Sequence, residues 1–307
     1  MSQSLKVPPP LRLGDSIALV APAGAVKPEK IQLTAHFFKN AGFKPCFFPS
    51  NTSFSYQDFY EFSAPDEIRA EAFKEAVLSD CKAIWCLRGG YGCIRLANQL
   101  EESIKELALN PKWLIGFSDI TFLHGLAQKH GLVSLHAAMP NAVLSSDTPA
   151  QNLLSSTLDW LTSEGIREQE YTLKPFTENK LGFGSGSLVG GNLSLLASVL
   201  GTRFQMNYAN KILFLEEVDE PYYKIDRMLH QMKFAGCFEL LAGLVVGHMA
   251  QREEPVRKLM QELFVADTWP IAFGLSVGHI AQNELIPHGA KAYLEVNHQG
   301  SQLKINC

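Results

Sequence analysis

Long apolar runs are missing from this 307-residue chain. The longest nearly apolar stretch, Leu240 to Ala250, falls far short of the roughly 20 residues a helix needs to cross a bilayer. An excess of positive charge is missing as well. With 27 Lys and Arg against 31 Asp and Glu, a net charge of −4, a pI near 6.1 and no basic run, the chain lacks the electrostatic footprint of a nucleic-acid binder. The N-terminal MSQSLKVPPPLRLGD contains no apolar h-region, so the expected compartment is the cytoplasm, with neither membrane nor nucleic acid as partner. The six cysteines, Cys46, Cys81, Cys86, Cys93, Cys237 and Cys307, form no C-x-x-C pair and read as reduced, mostly buried thiols. Nine histidines include no H-E-x-x-H and no Cys/His cluster, so neither a metal nor a cofactor is expected. The hydrolase motif G-x-S-x-G is also absent in its usual form, since Gly116-Phe117-Ser118-Asp119-Ile120 has no second glycine.

What remains is the composition of a soluble globular protein, 46% hydrophobic and 19% charged, at a length that suits about two domains. In the first half, strand-like runs at Ser16–Pro22, Lys44–Pro49, Ala83–Leu87, Trp113–Phe117 and Leu132–Leu135 alternate with helical patterns at Pro28–Asn40, Asp66–Ser79, Cys93–Gln99 and from Asp119 onward. Such alternation predicts a parallel sheet with helices on both faces. A helix is expected over Ala150–Leu161, after which polar, irregular sequence reads as a linker. The expected domains are therefore 1–165 and 183–307, joined by 166–182. The glycines of Gly182–Asn192 precede a strand-like segment rather than following one, which disfavours a dinucleotide fingerprint and favours a tight loop near a ligand. Beyond it the pattern predicts helices at Leu193–Leu200, Tyr222–Phe234 and Pro255–Phe264, strands at Ile212–Leu215, Leu240–Gly247 and Ile271–Leu275, and a closing hairpin. This half reads as smaller and richer in strand.

Ligands of parallel α/β sheets bind at the carboxyl ends of strands. Arg88-Gly89-Gly90-Tyr91-Gly92 and Ser118 both stand at such ends. Ser118 sits where a strand turns into a helix, so free N–H groups and the helix dipole converge on it, as at a nucleophile elbow. An N-cap would look the same. Two further strand exits carry Glu216-Glu217 and His279. A serine needs a base, an imidazole is suited to be one, and a carboxylate fixes the imidazole's tautomer. Ser118, one of Glu216 and Glu217, and His279 would form that relay, one member in the first domain and two in the second, with the active site expected between them. Singly, each has a plainer use: a turn histidine, a solvated strand end, a tight turn.

The segments RGGYG (88–92), LIGFSDIT (114–121), GSLVGGNLSLL (186–196), LFLEEVDEPYYKIDRML (213–229) and GHIAQNELIPHGAKAYLEV (278–296) together resemble the LD-carboxypeptidase family, the serine peptidases of the murein tetrapeptide carboxypeptidase and microcin C immunity type. The resemblance implies Ser118 as nucleophile, Glu216 as triad carboxylate and His279 as base, with the backbone N–H groups of Gly90 and Asp119 as oxyanion hole. Arg88 and Asn192 are candidates for substrate binding. It also implies a flavodoxin-like α/β N-terminal domain, a smaller β-rich C-terminal domain, a homodimer, and release of D-alanine from a diaminopimelate-containing murein tetrapeptide in cytoplasmic cell-wall recycling. The alternative within the family is an immunity hydrolase for a peptidyl- or aminoacyl-nucleotide. Such an enzyme must grip a nucleobase, and Arg167–Phe183 offers Tyr171, Phe176 and Phe183 but no tryptophan. A non-catalytic binding protein would need no Ser118, Glu216 and His279 together.

Overall fold

Short runs of consecutive apolar residues are too brief to make helices and too apolar for a half-exposed strand, and in the first half of the chain they become the buried strands of a parallel sheet. The computed structural model describes residues 5–50, 60–144, 148–249 and 252–307. Residues 1–4 of the N-terminal stretch and Ala250, the end of the longest apolar run, lie outside them. The chain divides into two units, Met1–Gly165 with Glu284–Ile286, and Ile166–Asn283 with Pro287–Cys307.

In the first unit the order is β1 (Ser16–Val20), α1 (Pro28–Asn40), β2 (Lys44–Phe48), α2 (Asp66–Leu78), β3 (Ala83–Cys86), α3 (Ala97–Leu109), β4 (Trp113–Gly116), α4 (Thr121–Lys129), β5 (Ser134–His136), α5 (Pro140–Val143) and α6 (Thr148–Thr162). The strands lie in the order β2-β1-β3-β4-β5, all neighbours parallel, with Ile286–His288 beside β5 at the edge. That order is the flavodoxin-like one, and it places the topological switch point between β1 and β3. Every residue of β3 and β4 is buried. Trp85 and Trp113 are fully enclosed, and each indole N–H is satisfied by a carbonyl, of Ala138 at 2.9 Å and Pro9 at 2.8 Å. The helix expected over Cys93–Gln99 is a 3-10 turn (Cys93–Leu96) running into the longer α3, because buried Leu100, Ile104 and Leu107 carry the apolar stripe onward.

The rest of the chain gives β6 (Glu168–Leu173), β7 (Gly182–Asn192), α7 (Leu193–Ser198), β8 (Lys211–Glu217), α8 (Tyr222–Phe234), β9 (Gly243–Met249), α9 (Glu253–Leu263), β10 (Ile271–Phe273), β11 (Ile286–His288, the edge strand of the first sheet), β12 (Lys291–Asn297) and β13 (Gly300–Asn306). Its seven-stranded sheet runs β10-β9-β8-β7-β12-β13-β6, parallel from β10 to β7 and antiparallel from β7 to β6. Ile225, Leu229, Val256 and Met260 of α8 and α9 join Leu213, Leu215, Leu244 and Val246 of the strands in one apolar core.

Two expectations change. Residues 166–182, read as a linker, include β6, which pairs with β13. Only Tyr171 and Leu173 of that strand are buried, so its exposed polar positions disguise it. The glycines of 182–192, read as a loop, lie within the eleven-residue β7. A Cβ at Gly184 would sit 1.9 Å from the Ala242 carbonyl oxygen, and one at Gly190 1.9 Å from that of Phe214. Glycine is used there because neighbouring backbone comes that close.

Candidate active site

In the first unit the residues of interest gather where β1, β3 and β4 end. Ser118 follows β4 and opens a 3-10 turn (Ser118–Ile120) that passes into α4. Its φ is +64°, a left-handed conformation that costs a residue with a side chain about 1–3 kcal/mol and is concentrated at functional sites. Gly89 packs directly against it: a Cβ there would lie 2.9 Å from Ser118 Cβ and 3.1 Å from its Oγ. The same hypothetical atom would be 3.3 Å from the Asp119 backbone nitrogen, so the glycine-rich turn and the serine turn touch.

Further bonds hold these turns. Gly24 N–H donates to the Gly89 carbonyl at 3.0 Å, and Gly90 adopts φ +102°, which suits a glycine. Asp119, 1% exposed, accepts the Cys93 N–H on Oδ2 at 2.9 Å and so fastens the serine turn to the end of the glycine-rich one. Burial pushes the Asp119 carboxyl above the usual carboxylate range, with the Cys93 bond acting against the rise. Burial also pushes the Cys86 and Cys93 thiols well up, and the Asp119 charge adds to both shifts, so neither sulfur is a ready nucleophile. Arg88 donates from Nη1 to the Ala25 carbonyl at 2.6 Å.

Beneath these turns lies a residue that sequence reasoning missed. Arg69 is 2% exposed. It donates from Nε to the Ala64 carbonyl at 3.1 Å, from Nη1 to the Pro22 carbonyl, and from Nη2 to Asp66 Oδ1 at 2.5 Å, with the Phe62 ring 4.3 Å away. A Cβ at Gly92 would come within 2.6 Å of Nη1. One buried guanidinium therefore braces the exit of β1, the start of α2 and the glycine-rich turn. In the sequence it is one more charged residue on a surface helix, with no signal that sets it apart.

In the second unit, adjacent residues of β8 point to opposite faces and so serve different neighbours. Glu216, fully buried, places Oε2 3.0 Å from His279 Nδ1. With the carboxylate oxygen accepting, Nδ1 is the donor of this bond, which is the tautomer that leaves Nε2 as the ring's acceptor. Glu217 faces the N-terminus of α7. It accepts the Ser194 N–H at 3.0 Å and the Ser194 hydroxyl at 2.7 Å on Oε2, and the Val218 N–H at 2.8 Å on Oε1. Asn192, raised above as a substrate-binding candidate, has internal work: its Oδ1 caps α7 by accepting the Leu195 N–H at 3.2 Å, and its Nδ2 lies 3.5 Å from Glu217 Oε1. The His279 side chain is 24% exposed. Before it, Gly278 (φ +115°) lets the backbone close on Glu216, for a Cβ there would stand 2.8 Å from Oε2.

Among the described residues no group of three or more His, Cys, Asp or Glu is arranged to hold a metal ion, and no helix is long and apolar enough to cross a membrane.

The LD-carboxypeptidase N-terminal domain matches residues 17–137, and the LD-carboxypeptidase C-terminal domain matches residues 185–294. The chain is 33% identical over 293 residues to a probable murein peptide carboxypeptidase of Bacillus subtilis (strain 168), covering 93% of this chain and 90% of that one. It is 31% identical over 293 residues to the murein tetrapeptide carboxypeptidase of Pseudomonas aeruginosa, covering 92% and 93%. Its fold superposes on the crystal structure of muramoyltetrapeptide carboxypeptidase from Oxalobacter formigenes with a TM-score of 0.82 at 28% identity, over 94% of this chain and 98% of the other. An MccF-like protein from Bacillus anthracis shares the fold, with a TM-score of 0.82 at 24% identity over 98% and 99% of the two chains. Matched across both of its units, this chain belongs to the LD-carboxypeptidase family.

Proposed function

We propose that the chain is a serine peptidase that hydrolyses the amide between the L-centre of meso-diaminopimelate and the terminal D-alanine of murein tetrapeptide, using Ser118, His279 and Glu216. The observation that carries this reading is the buried Glu216 carboxylate 3.0 Å from His279 Nδ1 in a chain of this family. The relatives named as murein peptide and tetrapeptide carboxypeptidases support the substrate.

In the reaction, Ser118 Oγ attacks the carbonyl carbon as its proton passes to His279 Nε2. The resulting imidazolium is stabilised by Glu216. The carbonyl oxygen becomes an oxyanion and is received by the N–H groups of Gly90 and Asp119, each such donor contributing about 10²–10³ in turnover. Collapse breaks the C–N bond, and D-alanine leaves with the proton from His279. Water then gives a proton to His279 while its oxygen attacks the acyl carbon; collapse breaks the bond from that carbon to Ser118 Oγ, His279 returns the proton to Oγ, and the shortened peptide leaves with its new carboxyl group. Arg88 is a candidate partner for the terminal carboxylate, with four N–H groups besides the one given to Ala25. The same reading places the enzyme in cytoplasmic cell-wall recycling, as a homodimer.

Incubation with L-Ala-γ-D-Glu-meso-diaminopimelate-D-Ala, read by mass spectrometry, tests it. The wild type should release one alanine and Ser118→Ala should release none. Turnover by the variant would remove Ser118 as nucleophile. An inactive wild type would overturn the murein substrate and make an aminoacyl-nucleotide the next one to try.

A further inference from the structure

We infer that Asn283 is the positioning residue of the Glu216–His279 pair. The inference rests on the proposed role of that pair and adds a residue to it. Asn283 is 4% exposed, and its Oδ1 accepts the N–H of Gly278 at 2.9 Å, closing the turn that carries His279. The Ile280 N–H donates to the Gly278 carbonyl at 2.9 Å inside the same turn. Gly278 is thus held on both its polar groups, and it is also the residue whose backbone lies against Glu216, where a Cβ would meet Oε2 at 2.8 Å and the Glu216 Cβ at 3.0 Å. Any shift of Gly278 moves the imidazole that follows it and opens the space beside the carboxylate. One amide side chain therefore fixes the distance between base and carboxylate.

Two buried atoms point the same way. Asn283 Nδ2 and Glu216 Oε1 are both enclosed, and neither has a hydrogen-bond partner among the described residues. One is a donor and the other an acceptor, and buried groups of this kind are usually satisfied, directly or through an ordered water. Asn283 offers both polarities: an oxygen for the Gly278 N–H and a buried nitrogen that can donate. Alanine supplies neither. Aspartic acid, kept protonated by burial, supplies an oxygen acceptor and an O–H donor in the same shape.

The test compares Asn283→Ala and Asn283→Asp in the full-length protein. One readout needs no substrate: the low-field proton resonance of His279 Nδ1–H bonded to Glu216, assigned by its loss in His279→Gln. The second is the split between kcat and KM on the tetrapeptide. Asn283→Ala should broaden or lose the resonance and lower kcat on the order of 10- to 100-fold with KM changed less than about twofold, the scale expected when a catalytic group is slightly misplaced. Asn283→Asp should recover most of both. A resonance unchanged in Asn283→Ala overturns the inference whatever the activity. Loss of resonance and fold together in both variants overturns it too, since it marks a purely structural residue. If the wild type shows the resonance but does not turn over the tetrapeptide, the substrate reading fails and the positioning role is still decided by the resonance.

Discussion

Glu216 and Glu217 differ by one position and have different work. Glu216 is committed to His279, while Glu217 accepts from Asn192 and from the Ser194 N–H and hydroxyl at the start of α7, and from the Val218 N–H, with none from the imidazole. Glu216→Gln should therefore leave the fold intact and lower turnover by up to about 10⁴, the scale seen when a triad carboxylate becomes an amide and the imidazole adopts the wrong tautomer. Glu217→Gln should keep most turnover and lose about 1–3 kcal/mol of stability, the cost of weakening buried charge-assisted bonds. Steady-state kinetics and thermal unfolding on the two variants decide it, and the reverse ranking would transfer the base's partner to Glu217. Ser118, His279 and the acidic pair stood out in the sequence because each lies at or just beyond the carboxyl end of a buried strand, the pair as the last two residues of β8. The strand pattern left open which carboxylate faces the histidine, since it does not say which face of β8 is which; the family resemblance pointed to Glu216, the one that lies 3.0 Å from His279 Nδ1. Asn283 and Arg69 were illegible for a related reason: both act through backbone groups, and a carbonyl or N–H that needs a partner leaves no mark on residue identity.

At the scale of elements, α4 is joined to β4 and β5 through a buried histidine. His124 Nε2 donates to the Gly116 carbonyl at 2.9 Å, so Nδ1 accepts the Ser134 hydroxyl at 2.8 Å, and the neutral ring satisfies both. Burial lowers its pKa from 6.5 to about 4. The folded state thus binds this proton less readily than the unfolded chain. The stabilisation is fully present above pH 6.5 and is lost as pH falls from there toward 4, amounting to about 3 kcal/mol by linkage. Urea unfolding at several pH values should show stability falling across that window in the wild type, and a shallower fall in His124→Gln. Equal slopes would mean that another group dominates. The strands and helices around His124 were legible because their apolar periods are strong. β6 and β7 were not: the first exposes most of its side chains, and the second replaces them with glycine where strands approach closely. Periodicity needs side chains to report which face is buried, and neither segment supplies enough.

On the scale of the whole molecule, the proposed machinery draws on both units, Ser118 from the first and Glu216 with His279 from the second. The chain also passes between them more than once, since Glu284–Ile286 belong to the first unit although the residues on either side belong to the second. A three-residue edge strand, Ile286–His288, carries no periodicity, which is why a simple division into two consecutive domains was the natural sequence reading. The proposal that one substrate is handled by residues of both units has a direct chemical consequence. A serine hydroxyl at neutral pH reacts with an electrophilic phosphonate only when a base takes its proton. A fluorophosphonate probe should therefore label wild-type protein on Ser118, identified by peptide mass spectrometry, and labelling should fall by at least about 10²-fold in His279→Ala, the lower range of what general-base catalysis supplies. Ser118→Ala should remove the label altogether. If His279→Ala is labelled at the wild-type rate while remaining folded, Ser118 takes its activation from within its own unit, and the assignment of His279 as its base falls.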